Sequence, residues 1–157
     1  MNHKFAGILC AAVMAMAGTA AHAADTGPVV RQPSASDRID LARDAIKKQD
    51  WKRSLAELNL AVREEPRNAD VHNLLGYTYR KQAAPNLPKA FEHYKTALSL
   101  NPKHKGAHEY VGEAYLMDKK PQEAEKHLAE LEKICGNKTC EEYVDLAKAL
   151  AEYKAKN

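Results

Sequence analysis

The sequence predicts an all-α protein of stacked antiparallel helix pairs closed by a C-terminal helix, and three observations carry that prediction. The segment HNLLGYTYRKQ at residues 72–82 returns as HEYVGEAYLMD at 108–118, pairing His72 with His108, Gly76 with Gly112 and Tyr79 with Tyr115 at an interval of 36 residues. Ala90 and His93 return as Ala124 and His127 at an interval of 34, which places a two-residue insertion within 83–88. Within each copy the apolar residues follow helical spacing, and Pro66 and Pro102 close the first two copies.

In chain order, Lys4 precedes an apolar run from Phe5 to Met16 and an Ala21-His22-Ala23 end. A charged start, an apolar middle and an A-x-A end describe a secretory signal peptide, residues 1–23, cleaved after Ala23. The run is too short and too interrupted to span a membrane, and Cys10 is discarded with it. Residues 24–35 carry two prolines and little apolar content and read as a flexible linker.

The domain then occupies 36–157, with repeats at about 35–68, 69–104 and 105–138. Leu41, Ala45, Leu55 and Leu58 mark the core face of the first repeat, Leu75, Tyr79, Phe91 and Tyr94 that of the second, and Val111, Tyr115 and Leu128 that of the third. Trp51 sits between two helices, where a large apolar residue closes the turn. A capping helix over about 140–155 is read from the capping-box pattern Thr139 to Glu142 and from the stripe Tyr143, Leu146, Ala147 and Leu150. One helix pair cannot bury its own apolar face, so three pairs and a cap form the smallest continuous core.

A unit of about 34 residues, built as helix, turn, helix with small residues at fixed places and a closing proline, resembles the tetratricopeptide repeat (TPR) family. The small slots are Ala42, Gly76 and Gly112 at the eighth position, Ser54, Ala90 and Ala124 at the twentieth, and Ala61 and Ala97 at the twenty-seventh, where the third copy has Leu131. Gly136 stands where the other copies close on proline. The resemblance implies a short right-handed α-solenoid without catalytic activity, holding a protein or peptide in a concave groove lined by the first helix of each unit.

Carried over slot by slot, that groove is lined in the first unit by Ile39, Arg43 and Lys47, and in the second by Asn73, Tyr77, Arg80 and Lys81. In the third it is lined by Glu109, Glu113 and Met117. The cations suit an acidic segment or a carboxylate, Asn73 a peptide backbone and Tyr77 an apolar contact. Ile39 stands where the peptide-carboxylate clamps of some TPR adaptors have lysine, so that specificity is not carried over. The string HKGAHEYVGEAYL, the C-x4-C ending and the small size resemble the short exported TPR proteins of Gram-negative bacteria, which implies a periplasmic location.

The chain has 157 residues, 45% hydrophobic and 29% charged, as expected of one soluble domain. Loss of Lys4 leaves 24 − 1 = 23 basic residues against 21 acidic ones, a balance of 23 − 21 = +2 that calls for neither nucleic acid nor a membrane surface. No G-x-S-x-G, Gly-rich phosphate loop or H-E-x-x-H occurs, so neither catalysis nor a cofactor is expected.

Cys135 and Cys140 are expected to form a structural disulfide across a tight turn at Gly136, because exported proteins keep disulfides and C-x4-C is not the C-x-x-C redox spacing. The alternative is metal or thiol handling by this pair together with the histidines. His104 and His108 stand four apart, a ligand spacing on a helix, although His72 and His108 share one repeat slot and His93 and His127 another. Self-assembly through the repeat edges is a third expectation.

Overall fold

Each helix begins where a side chain can take up the first free backbone N–H groups. α1 (Ala35–Lys47) opens on Ser34, whose Oγ accepts from the Asp37 N–H at 3.2 Å while the Asp37 carboxylate accepts from the Ser34 N–H at 2.9 Å, a reciprocal capping box. α2 (Trp51–Glu64), α3 (Ala69–Lys81) and α4 (Leu87–Leu100) open on Asp50, Asn68 and Asn86, each accepting from the first turn. α5 (Lys105–Met117) is capped by the His104 ring, and α6 (Pro121–Cys135) begins on its proline. α7 (Glu141–Lys156) has Cys140 at its N-cap with no side-chain hydrogen bond. The capping box expected from Thr139 to Glu142 does not form, because the Thr139 N–H and hydroxyl both donate to Asn137 Oδ1 at 2.8 Å in the preceding turn.

This computed structural model describes residues 31–157, of which Gln32–Asn157 form one unit. The expected signal peptide and the linker as far as residue 30 lie outside the described residues. Among those described there is no strand, and no helix is long and apolar enough to cross a membrane. The helices pair as α1 with α2, α3 with α4 and α5 with α6, and each pair packs on the next. α3, α5 and α7 also touch one another in series, with no comparable contact among α2, α4 and α6, so the odd-numbered helices form the inner row.

The pairs turn in two ways. Between α1 and α2, and between α5 and α6, Gln49 (φ 56) and Lys119 (φ 59) adopt the left-handed conformation. The following N–H groups, of Asp50 and Lys120, return to Ala45 O and Tyr115 O at 2.9 and 2.8 Å. Residues 82–86, between α3 and α4, exceed the 48–50 and 118–120 connections by two residues. That loop closes instead through the Asn86 N–H on Tyr79 O at 3.0 Å.

The core lies between the rows. Ile39, Ala42, Leu58, Ala61, Val71 and Leu75 pack together at one end, Ala90, Tyr94, Val111 and Ala114 in the middle, and Leu116, Ala124 and Leu150 under α7. Ile39, expected in the groove, is therefore a core residue: it is 7% exposed, drawn against Leu58 and Val71, while Leu41 is only half-buried. Ser54 brings a hydroxyl into this core without an orphaned donor, since Thr78 donates to Leu74 O and Ser54 donates to Thr78 Oγ1 at 2.9 Å.

Two glycines set the spacing. A Cβ on Gly76 would lie 2.6 Å from Tyr94 Cε1, and one on Gly112 would lie 2.6 Å from Leu146 Cδ2. α4 thus seats on α3, and α7 on α5, at distances closed to any larger residue. The Cys135–Cys140 disulfide fastens the end of α6 to the N-cap of α7 across Gly136, which is left-handed (φ 69).

Gly76→Ala is expected to destabilise the protein by about 1–3 kcal/mol, because the Tyr94 ring is rigid and fully enclosed. Gly112→Ala should cost less, since the Leu146 methyls can rotate. Urea unfolding of the two variants gives the comparison, and equal losses would contradict it. Reduction of the disulfide, which closes a short loop, should remove about 2 kcal/mol in the same assay while leaving the helical circular dichroism intact.

Candidate functional site

The inner face carries a row of aromatic rings, Tyr77 of α3 and Tyr110 of α5 with Trp51 at the start of α2. Trp51 stands 6.5 Å from Tyr77 between centroids, and Tyr77 stands 4.8 Å from Tyr110. Trp51, expected from the sequence to close the turn between two helices, is half-buried and borders a 510 Å³ cleft with Ile46, Lys47, Tyr77 and Lys81. A smaller cleft of 200 Å³ continues beside it against Arg43, Leu74 and Tyr110. Tyr110 escaped the sequence reading because it lies one residue beyond the slot that the repeat pattern assigns to the groove, and only the packing of α3 on α5 turns it inward.

Arg80, expected as a groove cation, is instead a buried strut, 5% exposed. Its Nε–H donates to the Tyr94 hydroxyl at 3.4 Å, its Nη2 lies 2.5 Å from Glu113 Oε2, and its guanidinium stands 5.4 and 5.7 Å over the Tyr77 and Tyr110 rings. A planar cation that stacks and pairs at once suits such a position better than an ammonium. Burial pushes the Tyr94 hydroxyl well above its ordinary range and that of Tyr110 up to about 12, so both phenols stay neutral.

The accessible cations are Arg43, Lys47 and Lys81. Among the described residues Arg43 and Lys47 pair with Asp40 and Asp44 on their own helix, at 3.3 and 3.4 Å, exposed contacts that hold little energy against a ligand. Lys81 Nζ stands 5.9 Å over the Tyr77 ring.

The far end of the face is acidic. Glu109 is 8% exposed, and burial pushes its carboxyl up to about 8, reinforced by Glu113, Asp145 and Glu142 and opposed by Arg80. Asn73 is 6% exposed and its Oδ1 has no hydrogen-bond partner. Its amide lies against Gly106, 3.3 Å from where a Cβ would stand, one turn before Glu109. Met117 is exposed and borders a third cleft, 380 Å³, between α5 and α7 with Glu113, Glu152 and Tyr153.

The histidines serve the repeat, as their recurrence at its period suggests, and His104 and His108 do not act as a helical ligand pair. His104 accepts from the Ala107 N–H through Nδ1 and therefore donates through Nε2 to Asp70 at 2.9 Å, acting as a helix cap. His108 meets His127, Nδ1 to Nδ1, at 2.9 Å, and His72 meets His93 at 3.2 Å. Ring centroids 5.1 and 5.4 Å apart mean that the rings point at each other end-on, leaving no room between the nitrogens for an ion with bonds of about 2.0 Å. Each first-helix histidine donates Nε2–H to the carbonyl of the preceding proline, Pro66 or Pro102, so its Nδ1 accepts from the outer histidine. Tyr79 and Tyr115 stack on the outer rings.

Cys135, Cys140 and Glu142 bring two sulfurs and a carboxylate within 4.8 Å of one another. With the sulfurs bonded to each other there is no thiolate to act as nucleophile or ligand.

The sequence profile described as Tetratricopeptide repeat matches residues 39–98 and, again, 83–137. No curated protein matches the chain. Each matched stretch contains one end-on histidine pair.

These pairs make stability depend on acid. Burial, then the facing histidine, lowers the pKa of His93 and brings that of His127 to about 4, from an ordinary 6.5. Because the folded values lie below the unfolded one, their contribution is present above about pH 6.5 and is lost as pH falls toward about 4. The melting temperature is expected to drop through that window, and the His93→Gln/His127→Gln variant, which keeps a donor without titrating, should show a shallower drop. An unchanged slope would assign the acid sensitivity elsewhere.

Proposed function

The chain belongs to the tetratricopeptide repeat family, and from that membership we propose that it is a non-catalytic periplasmic adaptor holding an extended peptide segment of a partner protein on its inner face. Tetratricopeptide domains generally mediate protein–protein interaction, and the coarse reading follows from the family. The finer one rests on the Trp51–Tyr77–Tyr110 row between the accessible cations Arg43, Lys47 and Lys81. Large, rigid aromatic side chains beside accessible cations are the kind of group that dominates the affinity of peptide interfaces.

The charged start, apolar run and A-x-A end of the chain support export, and a disulfide is at home in an oxidising compartment. A reading as a metal- or thiol-handling protein finds its support in the Cys135, Cys140 and Glu142 cluster. It requires the bond between the sulfurs to be opened first.

A random peptide library selected on the mature chain tests the groove. Bound peptides are expected to shift the amide resonances of Arg43, Lys47, Tyr77, Lys81 and Tyr110, and Tyr77→Ala should weaken them about thirtyfold. Reversal of charge at Arg43 and Lys81 should weaken acidic peptides without lowering the melting temperature, whereas reversal at buried Arg80 should damage the fold itself. A footprint confined to α4, α6 and the part of α2 beyond Trp51 would refute the groove.

A further inference from the structure

The inner face is asymmetric in charge, and its two ends lack opposite things. At the α1 and α3 end, Arg43, Lys47 and Lys81 offer cations to the cleft beside Trp51 and Tyr77. At the α5 and α7 end, Glu109 of α5 lies within electrostatic reach of three other carboxyl groups, Glu113 on its own helix and Glu142 and Asp145 on α7. The cations facing them are Arg80 from α3, already engaged by Glu113 and Tyr94, and Lys105, which reaches Glu142 at 3.5 Å. No cation among the described residues forms an ion pair with Glu109. Tyr77 and Tyr110 border the same carboxyl and supply no positive charge.

A second observation, independent of the carboxyls, points the same way. Asn73 is 94% buried (6% exposed) and its Nδ2 lies against Gly106, one turn before Glu109 on α5, yet its Oδ1 has no donor. Exchanging the amide oxygen and nitrogen would leave another buried polar atom unpaired, at a cost of about 1–3 kcal/mol either way. An unpaired acceptor on α3 and an unpaired carboxyl one turn beyond its neighbour Gly106 on α5 suit a positive group that carries several hydrogen-bond donors, as an ammonium or guanidinium does.

We propose that this end of the groove is a subsite for a lysine or arginine side chain of the partner, so that the groove selects an extended segment bearing both signs of charge. A carboxylate of that segment meets Arg43, Lys47 and Lys81, an apolar or aromatic residue covers Tyr77 and Tyr110, and the basic side chain reaches Glu109 and Asn73. The inference rests on the groove reading above and adds to it the charge order of the partner.

The raised pKa of Glu109 gives the subsite a distinctive signature. Near pH 7 the empty site holds Glu109 mostly as the neutral acid. An incoming ammonium takes over the role of that proton, forming the carboxylate–ammonium pair and releasing one proton to solvent.

Three capped heptapeptides with a central tyrosine test this: one with two glutamates before it and two lysines after it, one with glutamates on both sides and one with lysines on both sides. Calorimetric titration of the mature protein at pH 7, in two buffers of different ionisation enthalpy, reads affinity and proton release together. The mixed peptide is expected to bind at least about tenfold more tightly than either uniform one, with proton release. Glu109→Gln should abolish the release and weaken the mixed peptide about tenfold while sparing the all-glutamate one. Asp145→Asn, an exposed change on α7, should weaken the mixed peptide by a smaller factor. If the all-glutamate peptide binds as tightly as the mixed one and no proton is released, the subsite is refuted and the groove reading stands. If no peptide binds, or binding shifts only outer-row resonances, both fall.

Discussion

The inner face depends on the approach of one ring to one backbone. Because Gly76 has no side chain, the Tyr94 ring passes beneath α3 at a distance that a Cβ would forbid. Its hydroxyl then arrives where Arg80 can donate to it, and that contact holds the guanidinium under α3. From there Arg80 pairs with Glu113 across to α5 and lies over the faces of Tyr77 and Tyr110. One missing methyl group thus positions the strut that joins two repeats and the aromatic floor on which a partner would lie. Close packing makes this transmission stiff, since an interior without voids cannot absorb a displaced ring.

Charge is sorted by the same geometry. Arg80 and Lys81 are neighbours in sequence, yet one is sealed in the core and the other is exposed over Tyr77. Glu109 and Glu113 are one turn apart on α5, yet Glu113 pairs with Arg80 while Glu109 is buried within reach of other acids. The result is a groove with a cationic end and an end that favours keeping a proton. The histidines follow a parallel logic on another side of the hairpins: two rings are pressed end-on, and the preceding proline carbonyl decides which nitrogen holds the hydrogen.

Part of this was legible in the residues alone. The order of helix pairs follows from spacings of 34 and 36 residues and from apolar residues three and four apart, because a helix repeats its faces at that interval whatever surrounds it. The close crossing of α3 and α4 at Gly76 and the end of α6 at Gly136 were visible for the same local reason, whereas Gly112 meets Leu146 of α7 and not the second helix of its own repeat. The start of α7 was placed nearly correctly from a capping pattern that does not form, since Asn137 engages the Thr139 hydroxyl first. The pairing of His72 with His93 was not visible, because two slots that recur separately in sequence say nothing about facing each other.

Local periodicity by itself therefore determined the number of helices, their pairing and which small residues must lie at the crossings. Only the packing of one pair on the next decided that Ile39 goes inward, that Arg80 becomes a strut, and that Trp51 and Tyr110 turn toward the clefts. The physical reason is the rotation of each helix about its own axis. It is set by neighbours distant in sequence, and a shift of a fraction of a turn exchanges a buried side chain for a presented one.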